Sequence, residues 1–181
     1  MTDAADRFTF PARVAVVEAQ ARAEARNSYR VAPAHLLAAL AGVLTCRTVA
    51  DRSMAEPPDR GVAVLAALGL GDTPLEERLG RDLDDGSTNG DASGRRSRLR
   101  LGRRTPPMDQ QLRQILGDAL RASLERHDEH VGTEHLLMAL ARAGSPYTAE
   151  LAVYGITSQR LSETLDAEDG PRRAGTAEQS N

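Results

Sequence analysis

The heptapeptide Ala-His-Leu-Leu-Ala-Ala-Leu at residues 34–40 is matched by Glu-His-Leu-Leu-Met-Ala-Leu at residues 134–140. After its histidine each copy is apolar throughout, which predicts a buried helix. A second correspondence supports the first, because Leu-Ala-Ala-Leu-Gly-Leu at residues 65–70 matches Leu-Ala-Val-Tyr-Gly-Ile at residues 151–156. The chain is therefore an internal duplication, and the simplest architecture is two four-helix units related by a pseudo-twofold axis.

Helical periodicity extends outward from these matched segments. The predicted helices cover about residues 11–26, 33–44, 62–68 and 74–83, then about 109–126, a buried helix from 133, a short one ending at 155, and 157–165. In the first helix the spacing predicts a buried face of Pro11, Val14, Val17, Ala21 and Ala25. Only 3% of the chain is aromatic, while alanine and leucine dominate, which favours helices over sheets. We expect an all-α fold of about eight helices in two pseudo-symmetric repeats.

Composition divides the chain into repeats and connecting segments. We predict a first repeat at residues 7–83 with an insertion at 46–60, and a second repeat at 105–165. Residues 84–104 are rich in Gly, Ser and Arg and are expected to form a flexible linker. Residues 166–181 are predicted to be a disordered polar tail. The insertion has no counterpart in the second repeat, so we expect a binding surface specific to this chain there.

Charge and composition exclude several classes of protein. The chain has 181 residues, a net charge of −3 and 23 basic residues, all of them arginine. Without lysine there is no Schiff-base catalysis and no phosphate-binding lysine of a P-loop. Cys46 is the only cysteine, which excludes an internal disulfide and a thiolate zinc cluster. No apolar run approaches the length of a membrane span, and we expect a cytoplasmic protein with no metal and no cofactor.

Two charged clusters allow more than one interpretation. Histidines and carboxylates are concentrated between His127 and His135, where a metal site competes with a packed His135 hydrogen-bonded near a helix start. Six arginines lie between Arg95 and Arg104, where binding of nucleic-acid phosphates competes with a solvated linker. We favour the packed histidine and the solvated linker, since no aromatic residue interleaves the arginines to stack on a base.

Three segments carry a resemblance to a known family. Arg-Phe-Thr at residues 7–9, Val-Gly-Thr-Glu-His-Leu-Leu at 131–137 and the short helix closing at Leu-Gly (68–69) resemble the Clp N-terminal repeat domain. This module precedes the ATPase modules of ClpC-type AAA+ unfoldases and is a double four-helix repeat. The resemblance covers about residues 7–165. No ATPase module follows here, so the sequence is either a free-standing homologue or a fragment of a longer protein, and we expect the first because the sequence ends in a polar tail.

The resemblance also implies candidate site residues. In the ClpC type each repeat can hold a phosphorylated arginine, using a threonine at the start of its first helix and a glutamate before the histidine of its second. Thr9 matches that threonine in the first repeat, but Ala34 takes the place of the glutamate. Glu134 matches the glutamate in the second repeat, but Asp109 takes the place of the threonine. Met108 replaces a family aromatic and leaves a softer apolar groove.

These substitutions weaken both pockets implied by the resemblance. A carboxylate at Asp109, about 5 Å from a phosphoryl charge, costs roughly 3 kcal/mol per unit charge at an effective dielectric of 20. Loss of the glutamate at Ala34 removes a charge-assisted partner of the guanidinium that is worth about 1.5–3 kcal/mol. We therefore predict weak or absent phosphoarginine binding.

The function that this resemblance implies is protein or peptide binding without catalysis. We expect a module of the Clp chaperone–protease system that acts as an adaptor or as a competitor that sequesters ligands of an unfoldase. The expected partners are a Clp unfoldase, its adaptors or its substrates, with small peptides as further ligands, and neither nucleic acid nor a membrane. Two alternatives stay open: a binder of peptide antibiotics that target the Clp N-domain, and a nucleic-acid-associated regulator that uses the arginine-rich linker.

Overall fold

The computed structural model describes residues 7–45, 59–70, 106–142 and 147–177. Within these segments the backbone forms seven helices and no strand: α1 (Phe10–Ala25), α2 (Pro33–Thr45), α3 (Gly61–Ala67), α4 (Gln110–Glu125), α5 (Thr133–Ala141), α6 (Thr148–Val153) and α7 (Ser158–Ala177). The predicted all-α class is confirmed. The predicted helix at 74–83, Cys46 and the linker at 84–104 lie outside the described residues.

Helices α2 and α5, which contain the matched heptapeptides, form the centre of the core. Helix α1 packs on α2, and α4 packs on α5. Six leucines of α2 and α5 have no exposed surface, and Leu44 is 8% exposed; the six are Leu36, Leu37, Leu40, Leu136, Leu137 and Leu140. Burial of a leucine side chain contributes about 1.5–3 kcal/mol, so these two runs are a main source of stability.

The buried face of α1 differs from the predicted one. Apart from Pro11, that face consists of alanines; they are Ala12, Ala15, Ala19 and Ala23. Val17, which the spacing predicts to be buried, is 63% exposed. The predicted face is therefore wrong, because α1 is rotated about its own axis relative to the prediction. Small side chains allow the backbone of α1 to lie close to α2, and this close approach determines which face is buried.

The two copies end their first helices in the same way. Asn27 and His127 both have positive φ, of 52° and 60°, directly after α1 and α4. In each copy the amide of the next residue donates a hydrogen bond to a carbonyl of the helix. Ser28 donates to the Ala23 carbonyl and Asp128 to the Ser123 carbonyl, both at 2.9 Å. This left-handed helix ending satisfies carbonyl groups that the last turn leaves without partners.

Each copy begins by pairing with the other copy. The Thr9 amide donates to the Val131 carbonyl at 3.0 Å, and the Val131 amide donates to the Arg7 carbonyl at 2.7 Å. In the mirror arrangement the Asp109 amide donates to the Val31 carbonyl at 2.9 Å. The start of α1 therefore lies beside the start of α5, and the start of α4 lies beside the start of α2.

The last helix continues beyond its predicted end at residue 165. The backbone of α7 is helical to Ala177, through part of the segment predicted as a disordered tail. The prediction ended the helix where apolar residues stop. Ala167 and Glu168 favour its continuation, whereas Gly170 and Pro171 do not, so helix propensity does not explain the last turns. No helix in the described segments is both long and apolar enough to cross a membrane.

Candidate ligand-binding site at the start of helix α5

The first turn of α5 is buried even though it contains polar side chains. Thr133 and His135 have no exposed surface, and Glu134 is 3% exposed. His135 fixes this turn, because its Nδ1 accepts a hydrogen bond from the Gly132 amide at 3.0 Å. In the first copy, His35 does the same with the Ala32 amide at 3.0 Å. The predicted packing of His135 at a helix start is thus found in the structure, and His35 shares it.

The two histidines differ in the partner of their second ring nitrogen. His135 Nε2 lies 3.0 Å from the Asp128 carboxylate, whereas His35 Nε2 lies 3.3 Å from the Ser28 hydroxyl. Since Nδ1 of His135 is an acceptor, Nε2 is the nitrogen that carries the proton and donates to Asp128. Burial lowers the pKa of both histidines. His135 is therefore a neutral ring that orients a carboxylate.

Asp59, from the end of the predicted insertion, occupies the N-terminus of α5. Its carboxylate accepts hydrogen bonds from the Thr133 amide at 2.9 Å and from the Thr133 hydroxyl. It also accepts from the Thr9 hydroxyl at 2.7 Å and from the Gly61 amide at 3.1 Å. These donors and the positive end of the helix dipole stabilise a negative charge at this position.

Arg60, the residue after Asp59, places a positive charge in the interior of the protein. Only 8% of its surface is exposed, and its guanidinium forms an ion pair with Asp128. Its Nε lies 3.6 Å from Glu134 Oε1, and its backbone amide donates to Glu134 Oε2 at 3.3 Å. A buried guanidinium needs such partners, because an unpaired charge in the interior costs several kcal/mol.

Glu134 is the most perturbed titratable group at this position. Burial is the main reason that its pKa rises to about 8, and the negative charges of Asp59 and Asp128 act in the same direction. Hydrogen bonding to the backbone and the positive charge of Arg60 oppose the rise only in part. At neutral pH the carboxyl is therefore mostly protonated, and Asp128 is the main countercharge of Arg60.

Two glycines allow these segments to approach one another. A Cβ at Gly61 would lie 1.9 Å from the Thr133 hydroxyl oxygen and 2.9 Å from Leu44. A Cβ at Gly132 would lie 2.2 Å from a carboxyl oxygen of Glu134. The segment that carries Asp59 and the start of α5 are thus packed without space for a methyl group at either position.

The structure groups the predicted site residues across the repeats rather than within them. Thr9 of the first copy lies with Glu134 of the second, linked through Asp59 and Arg60. Asp109 of the second copy lies beside Val31 and therefore near the start of α2, the helix that contains Ala34. The threonine and the glutamate implied by the resemblance thus meet at one position, and both substitutions fall at the other.

The mirror position at the start of α2 has a different character. Asp109 is the N-cap of α4 and accepts from the Gln110 amide, as Thr9 caps α1 by accepting from the Ala12 amide at 3.3 Å. An exposed Arg30 lies 3.9 Å from Asp109, which makes a weak ion pair. Met108 is half-buried and packs against the core, so its side chain contributes to an apolar surface there.

The histidine and carboxylate cluster does not assemble as a metal site in the described segments. No group of three or more His, Cys, Asp and Glu side chains there is arranged to hold a metal ion. His127 is exposed at the end of α4, and His130 is half-buried. His135 is turned toward Asp128 and the Gly132 amide instead.

Sequence reasoning missed Asp59, Arg60 and the role of Asp128. The only local signal is an acidic residue and an arginine directly before a helix, which is equally typical of a solvent-exposed helix start. Their partners are 50 to 74 positions away in the chain, so no local pattern identifies them. Both residues belong to the insertion at 46–60, where a binding surface was predicted, and this was the one indication of a role in binding.

The comparisons with known proteins agree with this architecture. The family model described as the Clp repeat (R) N-terminal domain matches residues 7–154. The fold and the paired helix starts define an all-α double-repeat domain. The chain belongs to the Clp N-terminal repeat domain family. No curated protein matches the chain.

Solved structures share the fold at low sequence identity. The N-terminal domain of the chaperone ClpD from Arabidopsis thaliana has a TM-score of 0.59 and 17% identity, covering 93% of this chain and 99% of that one. The N-domain of ClpV from Vibrio cholerae has a TM-score of 0.58 and 16% identity, with coverages of 90% and 85%. The Hsp104 N-terminal domain from Candida albicans has a TM-score of 0.53 and 18% identity, with coverages of 90% and 91%.

Proposed function

We propose that this chain is a protein- and peptide-binding module of the Clp chaperone–protease system, acting as an adaptor or a competitor of an unfoldase. The observation that carries the proposal is the match to the Clp N-terminal repeat over residues 7–154, in a fold shared with N-domains of Clp chaperones. In an unfoldase such a domain stands in front of the ATPase. An adaptor or a competitor of this family would contact the ligands that such a domain contacts.

The internal asymmetry of the chain supports binding rather than chemistry. At the start of α5 the polar groups form one connected network of Thr9, Asp59, Arg60, Asp128 and Glu134. Its hydroxyls, carboxyls and guanidinium are groups that recognise charge and shape in a ligand. The start of α2, with Ala34 and a half-buried Met108, offers a more apolar surface to a peptide.

A reconstituted degradation assay tests the proposal and separates the two roles. The full chain is added to the ClpC-type unfoldase and its protease from the same host, together with a fluorescent substrate. An adaptor increases the degradation rate, whereas a competitor decreases it in proportion to the amount added. An unchanged rate, together with no co-purification of unfoldase, adaptor or substrate, would contradict the proposal.

A charge-neutralised variant of the six arginines from Arg95 to Arg104 serves as the matched control. Because that segment belongs to the predicted linker, the variant is expected to change the degradation rate as the wild type does. If only the wild-type chain acts, and salt or nuclease removes its effect, the alternative of a nucleic-acid-associated regulator is favoured.

A further inference from the structure

Asp59 and Arg60 are held in the way that a protein holds a ligand. Apart from the neighbouring Gly61 amide, the groups that contact these two adjacent, oppositely charged residues include several from segments 50 to 74 positions away. The partners come from the start of α1, the end of α4 and the first turn of α5. An aspartate in a loop can satisfy its carboxylate by bonding to nearby backbone, so the concentration of distant partners on this dipeptide indicates a complementary site.

We propose that Asp59–Arg60 is the chain's own ligand at the start of α5, where it fills the position that the resemblance assigns to a phosphorylated arginine and keeps it closed. The inference deepens the proposed function and rests on it, since it describes how one binding site of the module is regulated. The ligand class is defined by the shared chemistry. A peptide with Asp or Glu next to Arg supplies it, and so does a phosphorylated arginine.

The anion half of the site consists of neutral hydrogen-bond donors. The Thr133 amide and hydroxyl and the Thr9 hydroxyl converge on the Asp59 carboxylate, at the N-terminus of a nine-residue helix. Such donors accept a planar carboxylate or a tetrahedral phosphoryl group, because hydroxyls rotate to meet either geometry.

The guanidinium half consists of two carboxyl groups at different depths. Asp128 forms the ion pair with Arg60 and is itself oriented by His135 at 3.0 Å. Glu134 lies deeper, 3.6 Å from Nε of the same guanidinium. A planar guanidinium presents several donors at fixed angles, so two carboxyl groups on different sides recognise it better than an ammonium.

The mirror position is an internal comparison that lacks these groups. By the correspondence of the two copies, Ser28 stands for Asp128, Pro33 for Thr133, Ala34 for Glu134 and Asp109 for Thr9. Proline has neither the amide proton nor the hydroxyl, and alanine has no carboxyl. Within the described segments, the two copies of one fold thus differ at these four positions, and Asp59 and Arg60 lie at the copy that has the polar groups.

Chemical rescue of Arg60→Ala tests the guanidinium half. The substitution leaves a cavity that fits methylguanidinium, so this ion is expected to raise the Tm of the variant by about 3 °C at concentrations well above its Kd. Methylammonium, which has the same charge, is expected to raise it much less. The wild type and the exposed-site control Arg113→Ala are expected to respond equally to both ions. Where Arg60→Ala does not fold alone, the recovered helical circular dichroism signal replaces Tm.

Equal effects of the two ions on Arg60→Ala, in Tm or in recovered folding, would overturn the proposal. The experiment needs no partner protein. A rescue by methylguanidinium together with an unchanged degradation rate would therefore reject the proposed function and keep the site. A failed rescue with an altered degradation rate would reject the site and keep the proposed function.

Direct binding to the opened site distinguishes the two sources of ligand. The probes are acetyl-Asp-Arg-amide and free phosphoarginine, titrated into the wild type and into the double variant Asp59→Ala, Arg60→Ala. We expect the double variant to bind at least one probe about tenfold more tightly than the wild type, with arginine amide and inorganic phosphate binding more weakly. A folded double variant that binds neither probe more tightly than the wild type would contradict self-occupancy.

Discussion

At the scale of single residues, Glu134 couples the protonation of the site to the stability of the fold. Its pKa rises from 4.5 to about 8 because the carboxyl is buried beside Asp59 and Asp128. Between these values the unfolded chain has released a proton that the folded chain retains. The contribution of Glu134 to the free energy of unfolding therefore falls as pH rises through this interval, by at most about 1.4 kcal/mol per pH unit.

The first prediction concerns Glu134→Gln, which keeps the shape of the side chain and removes its titration. Between pH 5 and 8 the free energy of unfolding of this variant is expected to fall less steeply than that of the wild type. Urea unfolding followed by circular dichroism measures the slope. Burial lowers the pKa of His135, so the contribution of this group to the free energy of unfolding is lost as pH falls, which is opposite to that of Glu134. Both proteins contain His135, and their difference therefore reports Glu134.

The matched control for this variant is Glu129→Gln, a substitution at an exposed site near the end of α4. Its unfolding free energies are expected to run parallel to those of the wild type over the same pH range. If Glu134→Gln also ran parallel to the wild type, Glu134 would not retain its proton in the folded chain.

The second prediction concerns the close packing of Gly132 against the Glu134 carboxyl. The φ of Gly132 is −91°, which any residue can adopt, so the cost of Gly132→Ala is steric. The added Cβ would lie 2.2–2.5 Å from the carboxyl group of Glu134 and force it from its position. We expect a loss of about 1–3 kcal/mol in the free energy of unfolding.

Gly117→Ala in α4 is the opposite case and provides the comparison. A Cβ there meets nothing within 4 Å, and replacing a helical glycine by alanine stabilises a helix by about 0.5–1 kcal/mol. Urea unfolding of both variants is expected to show changes of opposite sign. A Gly132→Ala variant as stable as the wild type would show that Glu134 moves aside freely.

At the scale of elements, the sequence predicted where the helices lie better than how they are rotated. The bounds of α1 and α4 were predicted within about one residue, because caps and turn residues mark them locally. The face of α1 was mispredicted, since alanine and valine both count as apolar in a periodicity pattern. Which of them is buried depends on the distance to α2, and this distance is not encoded in α1 alone.

The third prediction tests this alanine face. Ala19 is 1% exposed against α2, so Ala19→Leu inserts three carbon atoms where none fits. We expect a loss of about 1–3 kcal/mol in the free energy of unfolding. Val17 is 63% exposed, and Val17→Leu is expected to change the free energy of unfolding by less than about 0.5 kcal/mol. Equal effects of the two substitutions in urea unfolding would mean that α1 has no preferred face.

The candidate site also separates into residues that could be predicted from the sequence and residues whose role depends on distant parts of the chain. Thr9 and Glu134 were found through the resemblance, and both occupy the start of α5 in the structure. Asp59 and Arg60 were not identified, because a loop residue carries no local sign of a partner more than 50 positions away. Pairing across the repeats was also missed, since an internal duplication is first interpreted as two self-contained units.

At the scale of the whole molecule, this exchange of chain segments makes the two repeats dependent on each other. The Val131 amide of the second repeat donates to the Arg7 carbonyl of the first, and the Asp109 amide donates to the Val31 carbonyl. Arg60, from the first repeat, is neutralised by Asp128 and contacts Glu134 in the second. Unfolding the first repeat alone would take the Arg60 guanidinium away from Asp128 and break the backbone hydrogen bonds between the repeats, which opposes separate unfolding.

The last prediction is that the described parts of both repeats unfold as one cooperative unit. In native-state hydrogen exchange, the Val131 and Asp109 amides are expected to exchange with free energies within about 1 kcal/mol of those of core amides such as Leu37 and Leu137. The Ala152 amide in the short helix α6 is expected to exchange at lower free energy, which controls for local opening. Two separate groups of free energies, one for α1 and α2 and another for α4 and α5, would mean that the paired segments separate before the cores unfold. Cooperative exchange, in contrast, would place the α5 site within the most stable part of the protein, where Asp59 and Arg60 leave only when a competing ligand replaces their contacts.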